Sequence, residues 1–174
     1  MTQTVGKVYA EALFLLAQEE QKEKQIYQEL NQVTDIMKQY PDLVMLLDVP
    51  TLSIQERIAI LKKIIGNDTG IIENFLCLLV EKHRFGRIVE ICEVFNYLYY
   101  ENFNIAEVFV TTAVPLEENQ KKMLIAKLNQ KLDKNILLRE KIDKSLLGGM
   151  IVQYGDTKLD NSIRNRMQQF KENI

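Results

Sequence analysis

Apolar residues recur at three- and four-residue spacing through the first hundred positions, the period of helices that each bury one face. Residues 4–17 read as a first helix, and 21–39 as a longer second one with the narrow stripe Ile26, Leu30, Val33, Ile36 and Met37. The second must end before Pro41, because proline drives the residue ahead of it out of helical geometry. Pro41 itself suits the first turn of a short third helix through Leu47, which Pro50 closes. Ser53 and Glu56 have capping-box spacing and open a fourth helix, whose stripe is Ile54, Ile58, Leu61 and Ile65 and whose stop is Gly66. After the break Asn67-Asp68-Thr69-Gly70 a fifth helix covers 71–82, and after Arg84-Phe85-Gly86 a sixth runs from Arg87 to about Glu101.

Near Asn104 the period changes. Residues 108–113 are rich in β-branched and aromatic side chains and predict a strand stopped by Pro115. Glu117 and Glu118 suit the start of a helix with apolar positions Met123, Leu124, Ala126, Leu128 and Leu132. Strands are predicted at 136–142 and 150–154, with Gly148-Gly149 between them, and Gly155-Asp156 turns the last into a return through Leu159. A closing helix stacks Ile163, Met167 and Phe170, with Asp160, Asn161 or Ser162 as its cap. The fold class is mainly α: a six-helix N-terminal bundle over 1–104 and a small α+β domain over 105–174.

Two helices carry more apolar surface than one bundle needs. On the first, Val5, Val8, Tyr9, Ala12, Leu13 and Leu16 form one stripe, assigned to the core. Gly6, Ala10, Phe14 and Ala17 form a second stripe beside it. Together they widen the apolar arc to about 260°, where a surface helix typically needs a little over 100°. The fifth helix leaves only Glu73, Asn74, Glu81 and Lys82 clearly polar. A domain of this size has too little interior to enclose two whole helices. The expectation is a groove between helices one and five that receives an amphipathic helix from another protein, the small residues admitting its backbone and Phe14 acting as the knob.

Composition narrows the function. The 174 residues are 47% hydrophobic and 26% charged, values of a folded soluble chain, and no apolar run exceeds six residues, far short of the roughly 20 that cross a bilayer. The net charge of −2 argues against nucleic acid as main partner. It divides unevenly: residues 1–104 hold 10 basic and 15 acidic side chains (−5), and 105–174 hold 12 and 9 (+3). The start shows no cleavable leader, so the protein is expected to stay in the reducing compartment where it is made, with Cys77 and Cys92 as buried free thiols.

Chemistry is sparse. One histidine, His83, and two distant cysteines leave no metal spacing or nucleophilic triad, and His83 suits the terminal carbonyls of helix five. Gly148-Gly149 lacks the Lys-Ser/Thr of a phosphate loop and reads as a tight turn. Asp143, Asp156 and Asp160 are at turns, where aspartate caps backbone N–H groups, and Lys158, Arg164 and Arg166 read as a solvated face.

Three stretches resemble one family. Tyr9-Ala10-Glu11-Ala12-Leu13-Phe14-Leu15-Leu16-Ala17, Asn74-Phe75-Leu76 through Arg84, and above all Lys141-Ile142-Asp143-Lys144-Ser145-Leu146-Leu147-Gly148-Gly149 look like the delta subunit of the F-type ATP synthase, the oligomycin-sensitivity-conferring protein family of mitochondria. Ala113-Val114-Pro115-Leu116, Gly155-Asp156, Asp160-Asn161-Ser162-Ile163-Arg164 and Arg166 continue the pattern along the whole chain. Departures are mild: Asn161 and Asn165 stand where glycine is common, and Met167 where leucine is usual.

The resemblance implies a non-catalytic stator component of the rotary proton-translocating ATP synthase, without cofactor or metal. Residues 1–104 would bind the N-terminal helix of an alpha subunit of the catalytic head, through Gly6, Ala10, Leu13, Phe14 and Ala17 of helix one and Ile72, Leu76 and Leu79 of helix five. Residues 105–174 would bind the membrane-anchored b subunits, with Asp143, Gly148, Gly149, Gly155 and Asp160 shaping turns and caps. One copy per complex would then be a peripheral protein on the cytoplasmic face of a bacterial membrane, reaching the bilayer only through its partners. The alternative is a soluble helical adaptor that holds an amphipathic helix in an unrelated complex.

Overall fold

A computed structural model describes residues 5–66 and 70–172, the side chains of 168–172 excepted. The predicted helix start at Thr4 and the break at 67–69 lie outside the described residues, as does the side chain of the stripe residue Phe170. The chain divides into two compact units, Met1–Tyr99 and Tyr100–Ile174, and the sixth helix runs past that division. The observed class is mainly α with a small sheet in the second unit.

The first unit is built from α1 (Val5–Glu19), α2 (Glu23–Gln39), α3 (Pro41–Asp48), α4 (Ile54–Ile65), α5 (Ile71–Glu81), a 3-10 turn (Phe85–Arg87) and α6 (Ile88–Asn102). The boundaries follow local chemistry. Tyr40, ahead of Pro41, leaves helical geometry and separates α2 from α3. The capping box of α4 is formed: Glu56 N donates to Ser53 Oγ (3.2 Å), and Ser53 N donates to the Glu56 carboxylate (2.9 Å). Ile26, Leu30, Val33 and Met37 of α2 are buried, as the narrow stripe requires.

On α1 the inward face is the second stripe of the sequence reading together with Leu13, the one buried residue of the stripe assigned to the core. Gly6, Ala10, Leu13, Phe14 and Ala17 face the core, with Ala10 at 0% and Phe14 at 7% exposure, whereas Val5, Val8, Ala12, Leu15 and Leu16 face solvent. The cause is close approach by α6. A β-carbon on Gly6 would lie 2.6 Å from the side chain of Glu90, and the Phe14 ring packs edge-on to Phe95 at 5.5 Å. The chain's own helix thus uses the small-residue stripe that was assigned to a foreign one. On α5, Ile72, Leu76 and Leu79 are likewise buried, Leu79 at 0%. Ile54 on α4 is also exposed, and the buried position of that helix besides Leu61 is Arg57. Cys92 is buried as expected, but Cys77 only partly so.

The second unit holds β1 (Ile105–Thr112), α7 (Glu118–Leu132), β2 (Asn135–Ile142), a 3-10 turn (Lys144–Leu146), β3 (Met150–Tyr154), β4 (Thr157–Asp160) and α8 (Ile163–Glu172). The sheet order is β2-β1-β3-β4, with β1 parallel to β2 and the other neighbours antiparallel. The parallel pair requires a crossover, which α7 supplies. The register puts Val108 and Val110 of β1 on one face with Leu138 and Val152, and both β1 valines are fully buried.

Lys121 of α7 pairs with Glu140 of β2 at 2.8 Å, which places α7 over that face, since Glu140 is opposite Val110. The half-buried apolar residues of α7 are Leu124, Ile125, Leu128 and Leu132. Leu124, Leu128 and Leu132 of the predicted stripe keep their place, Ile125 joins them, and Met123 and Ala126 at the stripe's edge are exposed. Ser162 is the cap of α8, its Oγ accepting from Asn165 N at 3.2 Å, yet Ile163 and Met167 behind it stay exposed rather than buried.

Candidate functional site

Helix geometry places the outward residues of α1, from Leu15 through Val8, Ala12 and Val5 to Leu16, on an arc about 100° wide. Leu15 at its edge is 60% exposed. On the other edge the Tyr9 ring meets Phe75 of α5 edge-on at 6.4 Å, and α5 adds Leu78 to the exposed apolar surface. Lys7 and Glu11 pair at 3.6 Å on the polar flank of α1. Excess apolar surface is therefore present on α1, as the arc width required, but it consists of Val5, Val8, Ala12 and Leu16 of the stripe assigned to the core, together with Leu15. None of Gly6, Ala10, Leu13, Phe14, Ala17, Ile72, Leu76 or Leu79 contributes to it.

What holds the first unit beneath this arc includes a residue that the sequence reading passed over. Arg57 is 1% exposed, inside the apolar stripe of α4. Its Nη1 donates to the carbonyls of Leu47 (3.1 Å) and Val80 (3.5 Å), in the last turns of α3 and α5, and is 3.2 Å from His83 Nδ1. A cation there gives the Leu47 carbonyl a partner at its helix end, adds to the bond the Val80 carbonyl accepts from His83 N, and opposes the negative end of each macrodipole. His83 does reach the end of α5, through its backbone N–H donating to the Val80 carbonyl at 3.2 Å, while its imidazole lies against Arg57 rather than on a carbonyl. The one available signal was an arginine three residues after Ile54 and four before Leu61, in register with the buried stripe.

In the second unit, Asp143, Gly148, Gly149 and Asp160 of the predicted turn and cap residues lie at one end of the β3–β4 hairpin, and Gly155 at the other. Leu147, Gly148 and Gly149 link the 3-10 turn to β3, and Leu147 and Gly149 have left-handed backbones (φ 59° and 76°). A β-carbon on Gly149 would be 2.4 Å from the carbonyl oxygen of Asn161, so glycine is required by both conformation and space. A leucine in that conformation costs about 1 kcal/mol or more. Gly155 (φ 53°) makes the β3–β4 turn. Ser145 N donates to Asp143 and Ser162 N to Asp160, each at 2.9 Å. Hydrogen bonds from the Ser145 hydroxyl and then its N–H hold the Asp143 carboxyl below the usual carboxylate range, and Ser162 does the same for Asp160.

These are carboxylates kept ionised as caps, unsuited to proton transfer near neutrality. Among the described residues no cluster of three or more His, Cys, Asp or Glu is arranged to hold a metal. A cleft of about 110 Å³ lined by Glu29, Gln32, Ile72 and Glu73 is small beside ligand pockets of roughly 300 Å³ and above, and Lys62 pairs with Glu73 there at 2.7 Å. Among the described residues no helix is long and apolar enough to cross a membrane.

Comparison with known proteins agrees over the whole length. The family model described as ATP synthase delta (OSCP) subunit matches residues 5–174. ATP synthase subunit delta of Lactobacillus gasseri is 32% identical over 171 residues, covering 98% of this chain and 94% of the relative. That of Fusobacterium nucleatum is 33% identical over 168 residues, covering 97% of each. The sodium ion specific subunit delta of Ilyobacter tartaricus is 33% identical over 163 residues, 94% of each. Among solved structures, a chain of the Toxoplasma gondii mitochondrial ATP synthase hexamer shares the fold, with a TM-score of 0.68, 22% identity, and coverage of 98% of this chain and 97% of that one.

Proposed function

The chain belongs to the ATP synthase delta (OSCP) subunit family, and we propose that it is a non-catalytic stator component of the peripheral stalk, joining the alpha-beta head to the membrane-anchored b subunits. The observation that supports this is the uncovered arc Val5, Val8, Ala12, Leu15 and Leu16 on α1. A connector that resists rotor torque contributes attachment strength rather than chemistry, and an apolar helix face supplies that strength by burial against another helix. The N-terminal helix of an alpha subunit is the occupant of this face, seated between α1 and the Leu78 side of α5. The second unit attaches to the b subunits, and the protein sits peripherally at the cytoplasmic face of the membrane.

The test is recovery of the complex. A tagged full-length chain purified from detergent-solubilised membranes carries the other synthase subunits with it if the reading is right; recovery alone, or with unrelated proteins, contradicts it. The division of labour is checked by pull-down after deletion of residues 105–174, which is expected to abolish retention of b while alpha is still bound.

A further inference from the structure

The small cleft between α2 and α5 holds a carboxylate that the first unit uses only in part. Glu73 lines it and is 6% exposed. Its Oε1 accepts from Lys62 Nζ at 2.7 Å, and its buried Oε2 has no hydrogen-bond partner among the described residues. A buried carboxylate oxygen left unpaired is costly, so it marks a place where a donor from outside the unit belongs.

The rest of the cleft narrows what that donor is. Glu29 of α2, half-buried, lines the cleft as a second carboxylate, and its Oε1 accepts from the neutral amide of Gln25 at 2.7 Å. Two carboxylates against the one ammonium of Lys62 leave the cleft negative, which favours a cationic occupant. The walls are apolar: Val33 and Ile72 are buried and Ile65 is half-buried. A dehydrated calcium-like ion asks for roughly six or more oxygen ligands, more than this donor set supplies. One long basic side chain fits better, its methylenes against the apolar walls and its charge on the carboxylates. Arginine offers several N–H donors in a planar fork that two carboxylates share, where lysine brings a single point charge.

We propose that this cleft receives one arginine side chain of the alpha-beta head, its guanidinium shared by Glu73 and Glu29 and its stem packed on Val33, Ile65 and Ile72. The identity of the partner rests on the stalk reading above. The seat is separate from the α1 arc, because Glu73 lies about 140° round α5 from Leu78, so both seats are open to the head together. Burial on the arc supplies most of the attachment, and the arginine fixes how the head is oriented on it.

The test measures binding of the full-length chain to the isolated alpha-beta head and, separately, to a peptide of the alpha N-terminal helix. Glu29→Gln and Glu73→Gln keep size and remove charge, and half-buried Glu29 is the variant expected to melt as wild type. Each is expected to bind the head at least fivefold more weakly and with a flatter salt dependence, while the peptide binds as before. In amide NMR of the labelled chain, N-acetyl-arginine amide is expected to move the Ile72 and Glu73 signals of wild type but not of Glu73→Gln. Wild-type head affinity in Glu29→Gln overturns the inference while the stalk reading stands. So does a parallel loss of peptide binding, which marks a general defect, and so do equal NMR shifts from sodium or magnesium chloride, which mark an ion site. If the wild-type chain binds neither head nor peptide, the stalk reading falls and takes the inference with it.

Discussion

Arg57 is held by helix-end carbonyls rather than by a carboxylate, so its replacement leaves an acceptor behind. Arg57→Met keeps much of the volume but strands the Leu47 carbonyl, while Val80 keeps its bond from His83 N, a loss expected to lower unfolding free energy by about 1–3 kcal/mol in urea titrations. Phe14 makes a similar point for apolar residues. It packs on Phe95, so Phe14→Ala is expected to destabilise by about 3–5 kcal/mol, whereas an interface knob leaves stability unchanged. At Gly149 a methyl group meets the Asn161 carbonyl and strains a left-handed backbone, and Gly149→Ala is expected to lower the melting temperature measurably.

At the scale of elements, the turn cluster of the second unit carries a pH signature. Asp143 and Asp160 have depressed carboxyl pKa values in the folded chain. Such groups contribute stability above the unfolded aspartate value of about 3.9, and that contribution is lost as pH falls through the folded value. Melting followed from pH 7 to below about 4 is expected to drop, and to drop less in Asp143→Asn/Asp160→Asn. These caps were legible in the sequence, as were the proline boundary at Tyr40, the Ser53–Glu56 capping box, the β3 strand and the glycine turns, because each rests on neighbours in the chain. The orientation of α1 was not. Periodicity measures how wide an apolar arc is, but which edge faces inward depends on how closely a helix eighty residues away can approach, and that distance is set by Gly6 against Glu90. The same applies to the edges of the α7 stripe, where Ile125 is half-buried and Met123 exposed.

At the scale of the whole molecule, the two compact units carry opposite charge. Residues 1–99 hold 10 basic and 14 acidic side chains (−4), and 100–174 hold 12 and 10 (+2), which sum to −2. Each unit also exposes an apolar surface, the α1 arc in the first and Leu147, Ile163 and Met167 in the second. Two such surfaces are what the proposed link between two partners requires. The α1 arc carries most of that account, and calorimetric titration of a peptide spanning the alpha subunit's N-terminal helix into the full-length chain tests it most directly. Leu15→Asp and Leu16→Asp are expected to keep the wild-type circular dichroism and melting temperature while weakening binding by more than about 2 kcal/mol each, as interface hot spots do. Wild-type affinity in both variants contradicts the account.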